Sequence, residues 1–124
     1  MVNIIKTHTT ITVYGIPHCD TVKKAMLWLK KEKIDFVFHN FRESGITAAK
    51  LQTWCKQAGW EQILNKKSTT WRNLSPEQQA DVTTQKAAVQ VMLNHHSIIK
   101  RPVIEYHEKI LVGFNEAKYE QEFK

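Results

Sequence analysis

The chain has 124 residues, 42% of them apolar, with four Trp, five Phe and three Tyr, which is the size and content of one compact domain with a packed core. Four Gly, three Pro and no repeat or biased tract exclude a linker-rich, fibrous or solenoid chain. Eighteen basic against twelve acidic residues leave a net charge of +6, which suits an anionic small molecule or an acidic protein surface.

Much of the lysine comes as pairs, Lys23 with Lys24, Lys30 with Lys31 and Lys66 with Lys67, without the interleaved aromatics that stack bases, so nucleic acid is not the expected partner. No apolar stretch approaches the roughly 20 residues of a bilayer span, and the opening MVNIIKTHTT carries one Lys and no signal-peptide core. The expectation is a cytoplasmic monomer with no membrane contact, folded as a single domain over 1–124, with 1–10 a flexible extension.

In chain order, ITVYG (11–15) alternates and is rich in β-branched residues, and Gly15 with Pro17 closes it as a first strand. From Asp20 to about Lys33, Val22, Ala25, Met26 and Leu29 follow helical spacing with lysines opposite. DFVFHNF (35–41) is a second strand, and the βαβ unit so formed is parallel with a right-handed crossover. Ile46, Leu51, Trp54, Cys55 and Ala58 predict a helix from near Thr47 to a stop at Gly59. A loosely patterned stretch, WEQILNKKSTTWRNL, follows. SPEQ (75–78) has Ser as cap, Pro at the first helical position and Gln three residues after the cap. A helix over about Thr84 to His95 buries Val89, Met92 and Leu93, and RPVIEY (101–106) with KILVGF (109–114) forms a hairpin over His107 and Glu108. Asn115 then caps a last helix through Phe123. The order β-α-β, helices, β-β-α is an α/β, thioredoxin-like arrangement around a mixed four-stranded sheet, with an all-helical insert at about 45–97 between the halves.

Cys19 falls where the first strand's loop enters the first helix. At the cap its sulfur would face the free amides of Thr21 and Val22 and the positive end of the helix dipole, both of which favour thiolate, with Lys23 and Lys24 acting in the same direction and Asp20 against it. His18 is read as a loop side chain tuning the thiol. An inert, buried cysteine is the alternative, but the polar neighbours His18, Asp20 and Thr21 argue for reactivity. Cys55, beside Trp54 on an apolar stripe, reads as core. The motif is C-D-T-V, with Val22 where a resolving sulfur would have to sit, so a local dithiol cycle is impossible, and the mechanism uses either an external partner such as glutathione or a less expected pairing with Cys55. His18 with Cys19 and His95 with His96 are adjacent pairs unlike the spaced ligands of structural zinc, so no metal is expected.

Arg101 and Pro102 form a second cluster. In a thioredoxin-like fold the turn before the third strand lies beside the first helix's N-terminus, where Arg101 would meet a carboxylate or oxyanion and Pro102, through a cis peptide, would shape the groove. The plainer alternative is a Pro that starts a strand. Arg72, Lys66 and Lys67 lie in a loop that could close on the same ligand or could equally be solvated charge.

YGIPHCDTVKKA, LNKKSTTWRNL and IIKRPVIE before a hairpin together make the chain similar to the arsenate reductase (ArsC/Spx) family, most of all to its YffB-type branch of small, single-cysteine proteins, over about 11–123. The resemblance implies a nucleophilic Cys19. It implies either a thiol oxidoreductase using glutathione as co-substrate, or arsenate reduction completed by glutathione and glutaredoxin, with no tightly bound cofactor. The family's arsenate reductases hold the oxyanion with arginines. The one before proline maps onto Arg101, another falls around Asn65 to Lys67, and a third falls in LVGFNE, where this chain has no Arg. Other members are regulators that bind the RNA polymerase alpha subunit and commonly carry a C-x-x-C at this point, which Val22 denies here.

Overall fold

The computed structural model describes residues 10–124; the extension expected over 1–10 therefore lies, but for Thr10, outside the described residues. Four strands form one mixed sheet: β1 (Ile11–Gly15), β2 (Phe36–Asn40), β3 (Val103–Tyr106) and β4 (Lys109–Val112), in the order β2-β1-β3-β4. β1 and β2 run parallel from Ile11 opposite Phe36 to Gly15 opposite Asn40, whereas β1 with β3 and β3 with β4 are antiparallel. The turn between β3 and β4 places His107 at φ 56°. This is the thioredoxin-like arrangement, with the helical segment inserted between β2 and β3.

Alternation along β1 sorts its side chains. Ile11 and Val13 join Ala25, Trp28, Leu29, Ile104 and Tyr119 in one buried cluster. Tyr14, of opposite parity, donates its hydroxyl hydrogen to Glu105 Oε1 at 2.8 Å. Helix α1 (Asp20–Lys31) buries Val22, Ala25, Trp28 and Leu29, and half-buried Met26 packs against the same cluster. The Trp28 indole, which the spacing did not single out, meets Tyr119 edge-on at 5.5 Å. α1 stops two residues before Lys33 because Lys33 adopts φ 60°, and the Lys33 and Ile34 amides donate back to the Lys30 and Leu29 carbonyls, a Schellman closure without glycine.

The described residues form two compact units, one of residues 10–43 with 101–124 and one of residues 44–100. The second is helical throughout, and its caps account for its boundaries. A single turn, α2 (Phe41–Ser44), leads out of β2. α3 (Ala48–Ala58) starts on Thr47, whose hydroxyl accepts from the Lys50 amide, and ends on Gly59 at φ 91°. The loosely patterned stretch holds two one-turn helices, α4 (Trp60–Ile63) and α5 (Thr69–Arg72). α6 (Pro76–Ala80) carries the full capping box between Ser75 and Gln78, and α7 (Gln85–Asn94) starts on Thr84. After a 3-10 turn at His96–Ile98, a bridge between Leu64 and Ile99 returns the chain to α4. Back in the first unit, Asn115 caps α8 (Glu116–Phe123). Among the described residues no helix is long and apolar enough to cross a membrane.

Gly15 closes β1 where the strand end meets α1. A β-carbon there would stand 2.7 Å from Val22 Cγ2, and Val22 is wholly buried, so neither partner has room to give. Gly15→Ala should therefore lower stability in urea unfolding by about 1–3 kcal/mol, and Val22→Ala in the same chain should recover part of that loss by supplying the missing space.

Candidate functional site

Gly15 delivers the chain into the loop 16–19, a turn in which the Cys19 amide donates to the Ile16 carbonyl at 3.4 Å. Cys19 occupies the N-cap of α1 with extended dihedrals (φ −93°, ψ 123°), and its own carbonyl accepts the first helical bond from the Lys23 amide at 3.0 Å. The thiol is half-buried. His18, Asp20, Thr21 and Lys23 around it are exposed, whereas Val22 points into the core.

The Cys19 side chain makes no capping hydrogen bond, so the Thr21 and Val22 amides do not hold the sulfur directly. A neutral thiol is a weak acceptor.

The sheet register brings the second cluster to the same end. Val103 stands opposite Tyr14 in the antiparallel pair, so the Arg101–Pro102 step enters β3 at the sheet end where β1 runs out towards Cys19. Arg101 is half-buried, Pro102 is buried and the bond between them is cis. The Pro102 carbonyl accepts from the Gly113 amide at 2.8 Å, which ties the turn to the segment after β4.

Lys66, Lys67 and Arg72 belong to the other unit, and all are exposed. Arg72 is turned back on its own loop, Nη2 donating to the Lys67 carbonyl at 3.0 Å, so part of its fork is occupied. The Lys66 ammonium lies over the Trp71 ring, 5.6 Å from its centre. A recess of about 270 Å³ gathers Lys66 and Lys67 with Asn65, Glu61 and Lys100. Lys100 was not singled out from the sequence. It arrives because its amide donates to the Ile63 carbonyl at 2.8 Å, and the basic run KRP was the only linear signal of it.

Four further histidines lie among the described residues. His39 is half-buried with its ring 4.7 Å from Tyr14, and His95 and His96 are half-buried as well; His107 alone of the four is exposed. Among the described residues no group of three or more His, Cys, Asp or Glu gathers as a metal site.

A thioredoxin-like sheet with a helical insert and a cysteine at the first helix's cap defines a class, and the comparisons name it. Residues 14–122 match the ArsC family, and the chain belongs to that family. Its relatives include the YffB-type branch. A solved structure named YFFB is 40% identical and superimposes with a TM-score of 0.86, over 90% of this chain and 96% of that one. An uncharacterised protein of Haemophilus influenzae is 43% identical over 91% of this chain and 98% of its own. The global transcriptional regulator Spx of Streptococcus pneumoniae is 28% identical over 86% of this chain and 80% of its own.

The two thiols should separate in labelling. Cys55 is 3% exposed, and its burial raises its pKa, which suppresses the thiolate that alkylates. Iodoacetamide at neutral pH should modify Cys19 on the folded chain on the order of ten-fold or more faster than Cys55, read by peptide mass spectrometry. Equal rates would show that Cys19 has no privileged reactivity.

Proposed function

We propose that the chain is a glutathione-linked thiol oxidoreductase of the cytoplasm in which Cys19 is the nucleophile. The carrying observation is a half-buried thiol at the cap of α1 with Val22 buried in the core at the position a resolving sulfur would need. Attack by the Cys19 thiolate on the glutathione sulfur of a mixed disulfide would form Cys19–glutathione disulfide and release the substrate thiolate. A second glutathione thiolate would then attack the glutathione sulfur of that adduct, regenerating the Cys19 thiolate and leaving as oxidised glutathione. One free glutathione thiol is oxidised and one substrate sulfur is reduced, the other glutathione having entered in the mixed disulfide, with no second protein sulfur required. Arg101 would hold a glutathione carboxylate and Pro102 would shape the groove, while the net positive charge of the chain, to which Lys66, Lys67 and Arg72 contribute, would attract the anion.

The Spx relative favours a second reading, a regulator binding the RNA polymerase alpha subunit. Arsenate reduction is a third, and the absence of any Arg from LVGFNE weighs against it, since lysines supply point charges where the oxyanion would want bidentate donors.

The test follows reduction of a glutathionylated peptide coupled to glutathione reductase, with glutaredoxin and arsenate added in a separate arm. Cys19→Ser should fall to background, Cys55→Ser should keep its rate, and Arg101→Ala should raise KM roughly 10- to 100-fold with little change in kcat. Capture of the polymerase alpha subunit that survives Cys19→Ser, with no turnover and no NMR response to glutathione, would replace the enzyme with the regulator.

A further inference from the structure

We infer that the groove between α3 and α7 is a docking surface for an acidic amphipathic helix presented by a partner protein. The groove is open, about 740 Å³, and lies wholly within the helical unit. It is not needed to fold that unit, because the inward stripes of the two helices are already buried: Leu51, Trp54 and Cys55 on α3, Ala88, Val89 and Met92 on α7.

The shape selects the occupant. Both walls are helical ridges at i, i+4 spacing, Ala48 or Ala49 through Gln52 or Thr53 to Lys56 on one side and Gln85 or Lys86 through Val89 to Leu93 on the other. A third helix laid between two such ridges packs its own i, i+4 row into the gap. The wall from residue 48 to residue 56 runs about 12 Å, which is the reach of i, i+3, i+4 and i+7 anchors. Helical walls spend their backbone groups internally, so they offer no ladder to an extended peptide. A concave groove is also a poor match to a flat bilayer.

The floor selects the chemistry. Ala48 and Ala49 are small enough for a helix backbone to approach, half-buried Leu93 supplies the apolar patch, and buried Val89 lies beneath it. Thr53 donates its hydroxyl to the Ala49 carbonyl at 3.0 Å, which satisfies that polar group within α3. The charged side chains lining the groove are Lys56 and Lys86, and no Asp or Glu lines it although the chain has twelve. Apolar anchors flanked by carboxylates complement such a floor, and the net charge of +6 steers acidic partners towards the molecule as a whole.

The experiment titrates the full isotope-labelled chain, by NMR, with a synthetic helix of about 16 residues bearing Leu anchors and Glu flanks. A twin peptide with every Glu replaced by Lys, decanoate, and phosphatidylglycerol vesicles form the other arms. The acidic peptide should shift the amides of Ala49, Thr53, Val89 and Leu93 and bind more weakly as salt rises. Ala49→Trp, which fills the groove from an exposed position, and the pair Lys56→Glu with Lys86→Glu should each weaken binding roughly ten-fold or more, with circular dichroism and Cys19 alkylation unchanged. Equal binding of the basic twin, silence at α3 and α7, unaffected variants, or a response to decanoate or vesicles without one to the acidic peptide would each overturn the assignment.

Discussion

The contact between the end of β1 and the first turn of α1 governs what this chain can do with a thiol. Only a hydrogen fits on Gly15 facing Val22, and that close approach fixes where the helix begins relative to the sheet. Cys19 sits at the cap because the helix begins there. The same Val22 is wholly buried, so the position at which a second sulfur could have met the first belongs to the core. Packing and redox design are in this sense one fact. A polar or reactive side chain at 22 would have to be desolvated against the strand end, and it would lose the contact that sets the helix in place.

Electrostatics around Cys19 then follows from distance to solvent more than from the number of neighbouring charges. Lys23, Lys24 and Asp20 are all exposed, where water and salt damp their fields. The amides at the start of a twelve-residue helix are fixed in direction and cannot be screened by rearranging. With no capping bond to the sulfur, those oriented dipoles are the one local influence that does not depend on side-chain conformation.

Much of this was legible beforehand, for identifiable reasons. Thr47, Ser75 with Gln78, Thr84 and Asn115 each mark a helix start by a local hydrogen bond, and Gly59 marks a stop by its left-handed dihedral, so those boundaries needed only a few adjacent residues. The strands were legible because alternation is a property of each strand alone. The helix turns α4 and α5 were not, since four residues contain no full hydrophobic period. Trp28 was missed for a tertiary reason, as its burial depends on Tyr119 and Phe123 arriving from the far end of the chain. The site shows the same division. The residues that cap α1 and enter β3 could be read, whereas the return of Arg72 onto the Lys67 carbonyl and the arrival of Lys100 beside Lys66 are set by loop closure over tens of residues.

That distribution of basic groups bears on which anions the chain can hold. It has three arginines. Arg42 lies exposed on the single turn after β2, and Arg72 has part of its fork committed to its own loop, which leaves Arg101 as the half-buried guanidinium at the sheet end that carries Cys19. A tetrahedral oxyanion is best held by several planar forks in fixed directions, because its charge is spread over oxygens that point apart. A carboxylate makes a smaller demand: one fork meets both of its oxygens in a plane, and ammonium groups nearby need only raise the local potential. A single arginine at that sheet end therefore meets the demand of a carboxylate better than that of a compact oxyanion, and this preference would hold whatever the acceptor on the far side of the disulfide.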